Sequence, residues 1–151
     1  MGYSLLVLAH VIGLVLFAGP TIVAFFMSGA FWKSVGSDLQ RAKLIHGLSS
    51  KFGRLTGIGI LLLIVSGVGI VASTHGVVAE ALWFKVKITL VILAIVNGAV
   101  FGGMLIKKLN KLLDQDEVSS ILMLRTRFQV FYSVQLLLLA GIISLGVLKA
   151  F

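Results

Sequence analysis

The chain has 151 residues, of which 59% are apolar and 12% are charged, and its formal net charge is +8. Its mean hydropathy of +1.13 lies far above that of soluble domains, which are about 45–50% apolar and about 25% charged. The composition predicts an integral membrane protein with the lipid bilayer as a partner. It argues against a nucleic-acid-binding protein, because the basic residues lie between apolar runs and orient helices. The absence of cysteine excludes disulfides, thiolate metal sites and iron–sulfur clusters.

The first apolar run, residues 5–31, predicts a membrane-spanning helix in which His10 is the single ionisable residue. The run is too long for a cleavable signal peptide, so we expect a retained first helix. Pro20 removes one backbone hydrogen bond inside this run, which predicts a kink near Ala18.

The second apolar run, residues 55–73, is uncharged and contains glycines that allow another helix to approach closely. We predict it as the second span. In residues 38–54, apolar positions recur at steps of three and four after a Ser37 or Asp38 cap. This pattern is typical of an amphipathic helix that either lies in the membrane interface or extends the second span, and the pattern leaves both alternatives open.

The third apolar run, residues 81–106, predicts the third span, and the lysines after it continue that helix as a basic stem. Asp114 and Glu117 fit the start of the next helix, as a cap and its capping-box acid. Residues 128–148 predict the fourth span.

These runs predict an all-α fold, a transmembrane four-helix antiparallel bundle that forms one integral membrane domain over residues 1–151. Asn97 and Gln135 both fall near the membrane midplane, so we expect a hydrogen bond between them. Ten of the 13 lysines and arginines lie in or beside the first and third connections. The positive-inside rule therefore predicts these connections in the cytoplasm of a bacterial-type inner membrane, with both termini outside.

Three residues are candidates for a site on the outer side of the membrane. At 1.5 Å of rise per residue, His10 and Lys87 share a depth, and His75 lies at the outer mouth of the second helix, so all three can face one pocket. His10 is either a structural imidazole bonded to a neighbouring helix, or an axial haem ligand or proton-transfer group. Lys87 either snorkels to headgroups beside Trp83 or serves the site. His46 lies across the membrane and cannot share a metal with His10.

The remaining polar residues have simpler interpretations. Lys85 is expected to snorkel, and Arg125 and Arg127 are expected to mark the cytoplasmic boundary of the fourth span. No acidic residue lies within the predicted spans, which argues against a proton-coupled transporter that relays protons through carboxylates.

A further pattern has three parts. Leu8-Ala9-His10 is followed by Ala18-Gly19 in the first span, the second helix is rich in glycine, and Trp83-x-x-x-Lys87 lies at the start of the third span. It resembles the CopD-like and HemJ-like superfamily of four-helix integral membrane proteins. Lys85 stands where the HemJ pattern has a second histidine, so the likeness is to a divergent member.

HemJ-type proteins bind haem and oxidise protoporphyrinogen IX to protoporphyrin IX. The resemblance therefore implies an oxidoreductase with a haem b or porphyrin ligand, in which His10 and Lys87 are catalytic. It implies that His10 is the metal ligand and that Lys87 contacts the cofactor, and the position of His75 adds it to the cofactor-binding set. The alternative is a non-enzymatic CopD-like protein that handles copper or assists assembly, and a homo-oligomer is a further partner hypothesis.

Overall fold

The computed structural model describes residues 2–148, which form helices joined by short turns. In chain order the elements are α1 (Gly2–Val35), α2 (Leu39–Ser73), α3 (Val77–Glu80), α4 (Leu82–Val96), a π-helical segment (Asn97–Gly102), α5 (Gly103–Asp114), α6 (Val118–Met123) and α7 (Arg125–Leu148). Lys149, which belongs to the charge count above, lies outside the described residues.

Within the described residues, four stretches of helix are long and apolar enough to cross a membrane, namely Gly2–Val35, Leu39–Ser73, Leu82–Asp114 and Val118–Val147. In their most apolar windows only 22%, 11%, 11% and 17% of the residues are buried inside the protein. Large side chains such as Phe26 and Leu61 therefore point outward, as expected where lipid replaces water as the solvent. The predicted all-α four-helix transmembrane bundle is confirmed.

The bundle has two ends that differ in charge. We call the end with the α1–α2 and α5–α6 turns the basic end, because ten of the 13 lysines and arginines lie toward it. The other is the opposite end. Near the basic end is an apolar cluster of Phe31, Trp32, Val35, Ala42, Leu109, Leu112, Leu113, Ile121, Leu124 and Phe128. A smaller cluster toward the opposite end contains Phe17, Ala94, Leu139 and Ile142.

The helices α1 and α2 pack backbone against backbone at two glycines. A Cβ atom added at Gly59 would lie 2.6 Å from the backbone nitrogen of Phe17. One added at Gly13 would lie 3.0 Å from the backbone nitrogen of Leu63. Only residues without a side chain permit this approach, which is a common way for membrane helices to associate.

Pro20 lies inside α1, which continues as one helix from Gly2 to Val35. The hydroxyl of Thr21, the next residue, donates to the carbonyl oxygen of Phe17 at 2.7 Å. Side-chain bonds of this kind help membrane helices to accommodate proline. The bend near Ala18 stays a prediction.

The basic segment before the second span is part of α2. Its backbone is helical without interruption from Leu39 to Ser73. Asp38 caps this helix, because its carboxylate accepts a hydrogen bond from the backbone N–H of Arg41 at 2.9 Å. Of the two alternatives for residues 38–54, the structure shows the extension of the second span.

The expected cap at Asp114 is wrong. Asp114 is the last residue of α5, and Glu117 precedes α6 without a side-chain capping bond. The helix runs on to Asp114 because Leu112 and Leu113 remain buried in the cluster at the basic end. The turn comes at Asp116, whose φ of 55° is left-handed and whose carboxylate lies 2.7 Å from the Lys43 ammonium.

The third and fourth spans are joined near their middle by the predicted polar pair. The side-chain amide of Asn97 donates to Gln135 Oε1 at 2.8 Å and to the carbonyl oxygen of Phe131 at 3.3 Å. Gln135 is only 4% exposed, so the bond is shielded from solvent. The predicted bond between Asn97 and Gln135 is therefore confirmed.

Candidate functional site

The imidazole of His10 is held between α1 and α2. Its Nδ1 atom lies 2.9 Å from the hydroxyl oxygen of Ser66, which is 1% exposed. The ring also lies along the surface of α2 at Gly67, where an added Cβ atom would be 3.6 Å from His10 Cε1. Because α1 and α2 touch at Gly13 and Gly59, the backbone geometry fixes the position from which His10 reaches α2.

The hydrogen bonds of Ser66 determine which nitrogen of His10 carries the proton. A serine hydroxyl has one hydrogen, and that of Ser66 is donated to the carbonyl oxygen of Leu62 at 2.5 Å. We therefore assign a hydrogen bond from His10 Nδ1–H to the oxygen of Ser66. This assignment, made from the hydrogen-bond network, leaves Nε2 of the neutral ring as an acceptor. A histidine that ligates a metal commonly has this arrangement, with the second nitrogen donating to a neighbour.

Lys87 lies within electrostatic range of His10, although the two residues belong to different spans. Its side chain packs against α7, since a Cβ atom added at Gly146 would lie 3.2 Å from Lys87 Nζ. Lys87 is half-buried, whereas Lys85 is exposed. The ammonium of Lys87 therefore lies against the bundle, and its surroundings differ from those of the exposed Lys85.

His75 occupies a different place from His10 and Lys87. It is exposed in the turn after α2, where its φ of 50° and the φ of 80° at Gly76 end the helix. The seven residues from Ser66 to Ser73 correspond to about 10 Å of helix rise. The structure thus brings His10 and Lys87 together and leaves His75 nearer the end of the bundle, so its role in cofactor binding stays a prediction.

His46 lies near the basic end. Its Nε2 atom is 2.6 Å from Asn110 Oδ1, a contact that joins α2 to α5. The twenty residues between His46 and Ser66 on α2 span about 30 Å. His46 therefore contributes to the contacts between helices at the basic end. As predicted, it is too far from His10 for the two histidines to share a metal.

The arrangement provides one imidazole and one nearby ammonium, both half-buried. Among residues 2–148 no group of three or more histidine, aspartate or glutamate side chains is placed to hold a metal ion. The donor atoms that this part of the structure brings together are thus one imidazole nitrogen and one lysine ammonium.

Comparisons of the chain with protein families, with curated proteins and with solved structures found no match.

Ser66 is the site residue that sequence reasoning missed. It is the one hydroxyl residue between Thr56 and Ser73 in an otherwise aliphatic and glycine-rich stretch. That isolation was the available signal. It could not identify His10 as the partner, because a helical serine usually bonds to the carbonyl four residues earlier, as Ser66 also does.

Proposed function

We propose that this integral membrane protein binds haem b or a related porphyrin at His10 and serves a redox function. The observation that carries the proposal is the hydrogen-bond arrangement of His10. Its Nδ1 lies 2.9 Å from the buried hydroxyl oxygen of Ser66, and the tautomer assigned from that contact leaves Nε2 as an acceptor in the membrane-embedded part of the chain. An ionisable residue inside a span is rare and commonly functional.

The residues fit such a ligand in the chemistry of their donor atoms. His10 Nε2 is suited to be an axial ligand, and the Lys87 ammonium is suited to pair with a propionate carboxylate. When bound, a haem supplies one-electron redox chemistry. Ser66 has a positioning role, because its hydrogen bond fixes the tautomer and the orientation of the imidazole.

The finer hypothesis is oxidation of protoporphyrinogen IX, as in the HemJ-like proteins that the chain resembles. In that reaction His10 would act as a proton acceptor instead of a haem ligand: Nε2 would take a proton from the porphyrinogen, a separate oxidant would take the electrons, and Lys87 would hold a carboxylate of the substrate. The supporting observation is that Lys87 lies within electrostatic range of His10 from another span. We thus propose that the chain is a divergent member of the CopD-like and HemJ-like superfamily.

The proposed location is a bacterial-type inner membrane, with the basic end in the cytoplasm and both termini outside. The distribution of lysine and arginine supports this orientation. The His10 site then lies in the outer half of the membrane, where His75 is close to the outer surface.

Absorption spectroscopy of the purified protein tests the haem proposal. The full chain is expressed with ample haem, purified in mild detergent and compared with His10→Ala, Ser66→Ala and His46→Ala. We expect a Soret band that is lost or shifted in His10→Ala, shifted in Ser66→Ala, and unchanged in His46→Ala, which lies at the other end. Absence of a Soret band, or a spectrum that His10→Ala leaves unchanged, would refute haem ligation by His10.

Protoporphyrin fluorescence in membrane fractions supplied with protoporphyrinogen tests the finer hypothesis. We expect Lys87→Gln and His10→Ala to abolish the enzymatic increase, and Lys85→Gln to retain it. If haem binds but no variant changes the rate of oxidation, the protein is a haem protein with another redox role.

A second candidate function is a non-enzymatic CopD-like protein that handles copper or assists assembly. The observation that favours the assembly role is the same 2.9 Å contact between His10 and Ser66, which also joins two spans. As a structural bond it would contribute about 0.6 kcal/mol, the average for polar contacts between membrane helices. Metal analysis separates the alternatives, since copper without a Soret band favours copper handling, and neither metal nor pigment favours an assembly role.

A further inference from the structure

A groove lies between α5, α6 and α7 at the basic end, far from His10. Its volume is about 240 Å³, and it is lined by Lys108, Leu112, Ser120, Met123, Leu124 and Arg127. Two cations and a hydroxyl therefore share a groove with apolar side chains.

Lys108 and Arg127 are both exposed, and they lie on helices that run in opposite directions. The described residues that line the groove include no aspartate or glutamate. Two like charges that face one groove repel each other, which favours an anion between them. Arginine can bond two phosphate oxygens at once, and lysine and serine add single donors.

The position of the groove suits a lipid headgroup. Lys108 is two residues beyond Ile106, near the end of the third apolar run, and Arg127 directly precedes the run that starts at Phe128. Both cations thus lie at the boundary of the apolar zone. Phosphate groups of lipids lie at this depth, and basic pockets between membrane helices are known to bind them.

Exposed apolar side chains continue from the groove toward the membrane. Met104 is one turn from Lys108 on the same face of α5 and is 55% exposed. Val130 and Val134 follow Arg127 at helical spacing on α7 and are 58% and 39% exposed. Acyl chains of a lipid whose phosphate lies in the groove would meet these side chains.

We propose that this groove is a binding site for the phosphate headgroup of an anionic phospholipid. Lys108 and Arg127 contact the phosphate, Ser120 donates a hydrogen bond to it, and the acyl chains lie along Met104 and the two valines. The site differs from general attraction of basic residues to the membrane surface, because it depends on two particular cations.

Binding of dioleoylphosphatidylglycerol to the delipidated full-length protein in detergent, measured by native mass spectrometry, tests the proposal. Lys108→Gln and Arg127→Gln are compared with Lys107→Gln and Arg125→Gln, which remove the same charge from the same helices outside the groove. We expect about fivefold weaker binding for each groove variant, from the attraction of one cation to an anionic lipid, and little change in the controls. Arg127→Lys should retain much of the affinity because it keeps the charge.

Three outcomes would overturn the proposal. Equal losses in groove and control variants would mean diffuse attraction to anionic lipid. Equal binding of dioleoylphosphatidylcholine would mean a purely apolar contact. Displacement of the lipid by millimolar inorganic phosphate, with the same dependence on Lys108 and Arg127, would mean a site for free phosphate. The thermal unfolding temperature of each variant, which we expect to be unchanged at these exposed positions, verifies that the fold is intact.

Discussion

Replacing Gly59 by alanine should separate the first two spans and disturb the His10 site. The added Cβ would lie 2.6 Å from the nitrogen of Phe17, 2.7 Å from the carbonyl carbon of Leu16 and 2.9 Å from the carbonyl oxygen of Gly13. All three atoms belong to the backbone of α1, so no change of side-chain rotamer can relieve the contacts. The two helices themselves must move apart.

The shift that relieves the clash would also lengthen the hydrogen bond between His10 and Ser66. An ordinary contact of 3.4 Å needs a shift of about 0.8 Å from the closest distance of 2.6 Å. Ser66 is two turns beyond Gly59 on the same face of α2, so a uniform shift would lengthen its 2.9 Å contact with His10 to about 3.7 Å. That length is no longer a hydrogen bond. Overpacking of this kind typically destabilises a protein by about 1–3 kcal/mol.

The matched control is Gly57→Ala, where an added Cβ meets nothing within 4 Å. Both variants gain the same helix preference of alanine over glycine, about 0.5–1 kcal/mol, so their difference isolates the clash. Reversible unfolding in mixed detergent micelles, followed by tryptophan fluorescence, to which the buried Trp32 contributes, gives the two free energies of unfolding. Equal stability of the two variants would refute the inferred backbone contact between α1 and α2.

Three further predictions concern other parts of the bundle. Asn97→Leu and Gln135→Leu should each reduce the free energy of unfolding, and a double-mutant cycle should give a coupling of about 0.6–1.7 kcal/mol, whereas additive effects would contradict the bond between them. Asp38→Ala should lower stability by about 1 kcal/mol in the same unfolding assay through loss of the cap on α2, and an unchanged value would show that the cap is dispensable. Because the chain has no cysteine, Ser4→Cys and Gln115→Cys each provide a single thiol for labelling in intact cells. An impermeant reagent should label the first and not the second, and the reverse pattern would invert the proposed orientation.

The four spans were predictable because each is an apolar run of about 20 residues, the length that a bilayer requires. The bond between Asn97 and Gln135 followed from the same reasoning, since two amides at equal depth have few other partners in an apolar environment. The extension of α2 was not predictable. Its amphipathic pattern suits a lipid interface as well as a neighbouring helix, and the burial of Ala42 against the cluster at the basic end depends on tertiary packing.

One prediction was wrong and one site residue was missed for the same reason, because both depend on contacts between helices. An aspartate near a helix end suits a cap by local rules, but Leu112 and Leu113 pack into the core and carry α5 on to Asp114. Ser66 was missed because its relation to His10 depends on the register of α1 against α2, which the close approach at Gly59 sets. Of the site, the sequence indicated His10 and Lys87, because helix rise places them at one depth; which helix faces they occupy depends on how the spans pack.

The π-helical segment at Asn97–Gly102 has a consequence for how the two halves of the third span are oriented. One extra residue in a helical turn rotates everything beyond it by about 100° about the helix axis. Leu109 therefore points into the bundle while Lys108 faces the groove. Deleting one residue here would reset the rotational phase, so that Asn110 would take the buried position of Leu109. One extra residue in the helical turn thus lets a continuous helix turn one side toward the bundle near one membrane surface and a different side near the other.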